Sequence, residues 1–288
     1  MNLHLFINWS FDAEIIPGYR TPNWYGLLFV SGMILGYFVI RKMFKQENIS
    51  NDLLDKLVMY MVPATVIGAR LGHVFFYGPY WGPEGYFSHP EEIFKIWEGG
   101  LASHGAAVVI LLALWYFSNK AIHKPYLWML DRIAAPIAIA GAFIRLGNLV
   151  NHEMVGYVTD VPWAFKFLHH DCMNVIDGQY LCDWNDIPAR HPANLYESLA
   201  YFLSFGILMF LFWKKHGWKR QGLVFGTFLI LIFGFRFLIE FLKESQTDND
   251  SMVDISTGLN TGQWLSVPLI LAGIILVIRA RKKSSEEA

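Results

Sequence analysis

The chain has 288 residues, of which 54% are hydrophobic, 16% aromatic and only 16% charged, against about 25% charged in an ordinary soluble protein. That balance excludes a water-soluble globule. The formal net charge of -1 supplies neither the basic excess of a nucleic-acid binder nor the acidic excess of a disordered tail, so the expected partners are membrane lipids and membrane-borne substrates, with no nucleic acid among them.

Seven apolar stretches approach the length that crosses a hydrocarbon core of about 30 Å. Those at 24–40, 101–117 and 259–278 contain no Lys, Arg, Asp or Glu, although the middle one carries His104. The other four are interrupted: 57–76 by Arg70, 126–150 by Asp131, Arg132 and Arg145, 195–213 by Glu197 near its start, and 222–242 by Arg236 and Glu240. The pattern predicts an all-α membrane protein, a bundle of seven transmembrane helices forming a single integral membrane domain over 1–288.

Basic residues orient it, because Lys and Arg are retained on the cytoplasmic face. One set of loops and the C-terminus holds fourteen of the 23, the other set holds five (Arg20, Lys95, Lys166, Arg190, Lys243), and four lie inside spans. The N-terminus is therefore expected outside and the C-terminus cytoplasmic, in a multi-pass protein of the bacterial cytoplasmic (inner) membrane. No cleavable signal peptide is expected, since the first seventeen residues lack a basic start and a small-residue cleavage site. The longest non-membrane segment, about 151–192, falls on the periplasmic side and carries Cys172 and Cys182. Three readings are open there: a disulfide, two free thiols, or a metal site built with His169, His170 and Asp171.

Three arginines deep in membrane helices cost together on the order of 8–10 kcal/mol unless they find partners or water. At a rise of about 1.5 Å per residue, Arg70 and Arg236 reach the outer half of their spans, and Arg145 comes near the outer end of its own. Tyr25, His104 and Glu197 begin ingoing spans at that same depth, with Glu240 one turn beyond Arg236. Ion pairs such as Arg236 with Glu240, and Arg145 with Glu197 or Glu153, account for part of this group as packing. Its excess of guanidinium over carboxylate points instead to a receptor for an anion such as a phospholipid head group. Asp131 and Arg132 lie toward the cytoplasmic side, where a snorkelling pair near a helix end is expected.

The segment from Gly141 to Gly156 places Arg145, Gly147, Asn148, Asn151 and Glu153 where a helix leaves the membrane. With Trp24-Tyr25-Gly26, Gly68-Ala69-Arg70-Leu71-Gly72, Gly99-Gly100-Leu101-Ala102-Ser103-His104-Gly105, Arg190-His191-Pro192-Ala193-Asn194-Leu195-Tyr196-Glu197 and Phe235-Arg236 through Glu240-Phe241, it resembles the bacterial prolipoprotein diacylglyceryl transferases. The resemblance implies that the diacylglyceryl group of phosphatidylglycerol passes to the lipobox cysteine thiol of a preprolipoprotein signal peptide, giving a thioether and releasing glycerol phosphate. It implies no cofactor and no metal.

That displacement needs a thiolate, and a thiol of pKa about 8.5 needs a base to supply one. His104 has suitable chemistry. Arg145 and Arg236 would stabilise the leaving phosphate, and Glu240 would orient Arg236. Tyr25, Asn148, Asn151, Glu153, Gly156 and Arg70 complete the catalytic and phosphatidylglycerol-binding set that the resemblance implies. Departures from the family pattern are Ile144 for a glycine before the arginine, His152 and Ala106 for glycines, Ile232 for a tyrosine and Lys243 for an arginine. Two other classes compete: an anion transporter or lipid-binding protein using the same arginines, against which the lack of an internal repeat counts, and an intramembrane hydrolase with His104 as base, against which the lack of Gly-x-Ser-x-Gly or His-Glu-x-x-His counts.

Overall fold

A computed structural model of the chain describes residues 6–16, 18–78, 80, 85–96, 100–176, 179–244 and 258–286, so that Gly99 lies outside the described residues. Among the described residues, seven helices are long and apolar enough to cross a membrane: α1 (Trp24–Gln46), α2 (Asn51–Phe76), α3 (Ser103–Phe117), α4 (Tyr126–Val150), α6 (Ala193–Lys214), α7 (Leu223–Ile239) and α8 (Thr261–Glu286), with a single-turn α5 (Leu168–Asp171) between α4 and α6. This is a multi-pass membrane protein. Several helices outrun their apolar stretches. α1 continues through Arg41, Lys42 and Lys45, and α8 through Arg279, Arg281 and Lys282, because hydropathy ends with the hydrocarbon whereas the backbone hydrogen bonds of a helix do not.

The chain divides into two compact units, residues 40–130 and residues 1–39 with 131–288. In the 40–130 unit, α2 and α3 pack through small residues: a Cβ on Gly72 would lie 2.6 Å from Gly105 Cα. Such close backbone approach is the usual glue between helices in lipid, where no hydrophobic force drives them together.

In the other unit, α4 is fastened to the start of α7. Asp131 accepts the backbone N–H of Gly222 at 2.7 Å and of Phe225 at 2.8 Å, and Arg132 donates to the Trp218 carbonyl at 3.0 Å with its guanidinium over the Phe212 ring. Both side chains are 0% exposed, which corrects the expectation that they snorkel. The first N–H groups of α7 have no partner within the helix, and a buried carboxylate satisfies them.

The loops carry strands that the hydropathy pattern does not predict. β1 (Ile7–Trp9) pairs in parallel with β4 (Phe165–Phe167), and β4 pairs antiparallel with β7 (Ala189–Arg190). The segments β2 (Glu14–Ile16) and β3 (Tyr19–Asn23) form one hairpin, and β5 (Val175–Ile176) and β6 (Gln179–Tyr180) another. Leu149, Val155, Phe165 and Phe167, with Trp9 and Leu195, make an apolar cluster against the small sheet. Of the three readings open for Cys172 and Cys182, the structure has the disulfide. Cys172 is therefore no thiolate ligand for a metal.

Candidate active site

Arg145 sits on the last two turns of α4, and Glu197 on the first two turns of α6. Glu197 is 0% exposed. Arg145 Nε lies 2.9 Å from Glu197 Oε2, and Lys243 Nζ, just beyond α7, lies 3.9 Å from Oε1. Among the described residues neither carboxylate oxygen receives an aligned hydrogen bond, so this buried anion is held chiefly by the two cations. Tyr201, one turn further along α6, lies within electrostatic reach of Arg145 and Glu197. Burial pulls the Lys243 ammonium below the ordinary lysine value; Glu197 and Glu240 oppose that shift, and Arg145 and Arg236 add to it. Arg236 therefore belongs to the same electrostatic cluster, which also includes Tyr201.

The outer edge of the Arg145 fork has weak partners. Its Nη1 lies 3.4 Å from Asn148 Oδ1 and 3.3 Å from Met154 Sδ, and a thioether is a poor acceptor. Donors held so loosely lose little when a phosphate oxygen replaces those partners. Asn148 in turn donates to Glu153 Oε2 at 2.9 Å, and Asn151 to Oε1 at 3.1 Å. The backbone carbonyl of Glu153 accepts from the buried Asn194. Tyr25, at the start of α1, packs on Gly147 and lies within electrostatic reach of Glu153 and Arg145.

Gly156 fills a backbone crossing. Its N–H donates to the His191 carbonyl at 3.0 Å, it bridges Lys243, and a Cβ there would lie 2.6 Å from His191 Cβ. Tyr157 and Glu244 extend the same crossing, their backbone N–H groups donating to the Leu242 and Val155 carbonyls at 2.9 and 3.2 Å. Arg190 closes it with a fork on Asp171 at 2.8–3.0 Å and a bond to Glu244 at 2.9 Å. Both carboxylates hold Arg190 above the ordinary arginine value, against the effect of burial. Lys243 is thus set toward Glu197 by a latched backbone on either side of it.

Glu240 takes a different place from the expected one. No ion pair joins it to Arg236 among the described residues. Its carboxylate instead packs against Gly262 in the first turn of α8, where a Cβ would lie 2.7 Å from Oε1, and the positive end of the helix dipole favours an anion there.

His104 and Arg70 belong to the 40–130 unit. His104 is exposed at the start of α3, with its ring edge-on to Phe76 at 5.1 Å and tilted on Tyr77 at 5.4 Å. With His73, Tyr77, Leu101, Ala102 and Ser103 it lines a cavity of about 310 Å³. Arg70 is buried, and its fork is turned onto main chain: Nε donates to the Ile93 carbonyl at 2.8 Å, Nη1 to Gly100 at 3.2 Å and Nη2 to Glu92.

The structure therefore brings together Tyr25, Arg145, Asn148, Asn151, Glu153, Gly156, Glu197, Arg236 and Glu240, with Arg145 paired to Glu197, one of the two partners the sequence offered, and adds Tyr201, Asn194 and Lys243. Of these additions, Tyr201 carried a legible signal, a tyrosine one turn from Glu197 inside an apolar span.

The family model for prolipoprotein diacylglyceryl transferase matches residues 16–279. A protein of Porphyromonas gingivalis is 42% identical, over 98% of this chain and 97% of its own length. One of Chloroherpeton thalassium is 39% identical, over 100% and 99%, and one of Tolumonas auensis 40% identical, over 96% and 98%. All three are named phosphatidylglycerol–prolipoprotein diacylglyceryl transferase. The chain, matched by the family model and by full-length relatives, belongs to the prolipoprotein diacylglyceryl transferase family.

Proposed function

We propose that this enzyme transfers the diacylglyceryl group of phosphatidylglycerol to the lipobox cysteine thiol of preprolipoproteins, in the bacterial cytoplasmic membrane, with its N-terminus outside and its C-terminus cytoplasmic. The carrying observation is the buried Glu197 held by Arg145 and Lys243, with Arg236 in electrostatic reach of Lys243, beside the amides and carboxylate of Asn148, Asn151 and Glu153. In the reaction the thiol proton passes to His104 and the thiolate attacks the diacylglyceryl carbon that bears the phosphate ester. A C–S bond forms, the C–O bond breaks, and its electron pair leaves on glycerol phosphate. Arg145 and Arg236 meet that growing charge. Lys243 supplies the third cation, in place of Arg70. Arg70 is assigned to holding the loop that leads into α3, and so to placing His104.

The test uses purified protein with phosphatidylglycerol labelled in its head group and a peptide containing a single lipobox cysteine. Labelled glycerol phosphate should appear together with a diacylglyceryl mass gain on the peptide, and neither should appear with a Cys→Ser peptide. Lipid binding without release would overturn the transfer reading and leave an anion receptor. Labelling of single engineered cysteines in the loops by an impermeant maleimide tests the orientation; modification at 215–220 in intact cells would reverse it.

A further inference from the structure

The turn that carries Glu153 is unusual. His152 stands where the family pattern has glycine, at φ +55°, and Met154 follows at φ +52°. Both lie in the left-handed region that costs a side chain and suits glycine. Such a backbone persists only where its surroundings over-determine it, and the surroundings here act on the His152 ring.

That ring is 3% exposed. Its Nε2 lies 3.0 Å from the Phe11 carbonyl, and its face stacks on His169 with centroids 4.3 Å apart and planes 21° apart. Phe167 meets it edge-on at 5.8 Å. His169 in turn stacks on Tyr180 at 4.3 Å and 17°. His169 precedes Cys172 by three residues and Tyr180 precedes Cys182 by two, so the disulfide ties together the two backbones that carry the outer rings. Burial holds His152 neutral down to about 4, helped by His169 and His170 and opposed by the Phe11 carbonyl and Asp12. His169 is lowered by burial too, again against Asp12. Neutral rings stack without mutual repulsion.

What the ring holds is the next residue. The Glu153 N–H donates to the Asn148 carbonyl at 3.0 Å, and its carboxylate collects Asn148 and Asn151. Freed at position 152, the turn loses the conformation that aims the carboxylate at those amides.

We propose that His152 is a positioning residue for Glu153, and that His169 and Tyr180, joined by the Cys172–Cys182 disulfide, form a clamp that keeps the His152 ring seated. The link to catalysis rests on reading Glu153 as part of the head-group site; the clamp itself does not.

The test measures hydrogen–deuterium exchange over 148–156 in the full-length protein, alongside KM and kcat for phosphatidylglycerol. Three variants are compared: Tyr180→Ala, Tyr180→Phe and the double Cys172→Ser/Cys182→Ser. Exchange at the Glu153 amide should rise about tenfold in the alanine and double-serine variants and return to wild type in Tyr180→Phe, whose ring still stacks. KM should rise about fivefold with kcat within about twofold. In the alanine variant KM should climb further below about pH 6.5, where a loosened histidine takes up a proton, whereas wild type stays flat. Unchanged exchange in both the alanine and double-serine variants overturns the proposal. Raised exchange with an unmoved KM supports the clamp and removes Glu153 from the head-group site.

Discussion

Arg70 is buried and Arg145 half-buried, each in a membrane helix, and they are held in opposite ways. Arg70 is met by the carbonyls of Glu92, Ile93 and Gly100, whereas Arg145 is met by a carboxylate on one edge and by weak acceptors on the other. Carbonyl dipoles consume donors. A carboxylate offsets charge while the outer N–H groups stay exchangeable. The first arrangement suits a fastener and the second the anion site proposed above, because a phosphate must find donors that are not already well employed. Position in a span and residue type do not separate the two; the partners do.

The largest expected effect is at the anion site. Arg145→Gln should lower kcat/KM by about 10²–10³-fold, the usual loss on removing a donor from developing negative charge, as read by glycerol phosphate release. At the fastener, Arg70→Met should cost about 1–3 kcal/mol by stranding buried carbonyls, visible as a lower Tm, with Arg70→Lys restoring little because an ammonium cannot reproduce the fork. An unchanged Tm with a raised KM for phosphatidylglycerol would collapse the contrast. Lys243→Met should raise that KM about tenfold, roughly 1.4 kcal/mol, while Lys243→Arg keeps it near wild type. Asp131→Asn, far from either arginine in role, should cost about 0.5–2 kcal/mol of stability through a weaker cap and leave activity per folded molecule unchanged.

A last expectation is the pH dependence set by His152. Its folded value is about 4 and its unfolded value about 6.5. The unfolded chain takes the proton first, so stability is full above about 6.5 and falls as pH drops toward 4. Melting curves at pH 7 and pH 5 should show the drop, and His152→Gly should flatten it.

The spans were legible because lipid requires long apolar runs, and the helix cores at 24–40, 57–76 and 126–150 all fall inside observed helices. Helix ends were not, since Asn51 begins α2 and Glu286 ends α8 among polar residues that the bilayer does not sort. The strands escaped as well. They are two to five residues long, and β1 finds its partner beyond α4, a pairing no local pattern encodes. Within the site, Arg145, Glu153 and their amides sit close in sequence and could be read as one block. Lys243 could not, because its approach to Glu197 depends on the backbone crossing at Gly156 and Arg190.

The parallel pairing of β1 with β4 constrains the biosynthesis of the protein. Ile7 and Phe165 are register partners, and four membrane-capable helices, α1 to α4, separate them. Four is even, so both strands emerge on one face of the membrane; an odd number of crossings would have parted them. At about 5–20 residues per second of synthesis, β1 waits roughly 8–30 seconds for a partner. An insertion error that skips or doubles one of those four helices leaves it unpaired, so completion of this three-stranded sheet reports that the first half of the protein has been threaded correctly.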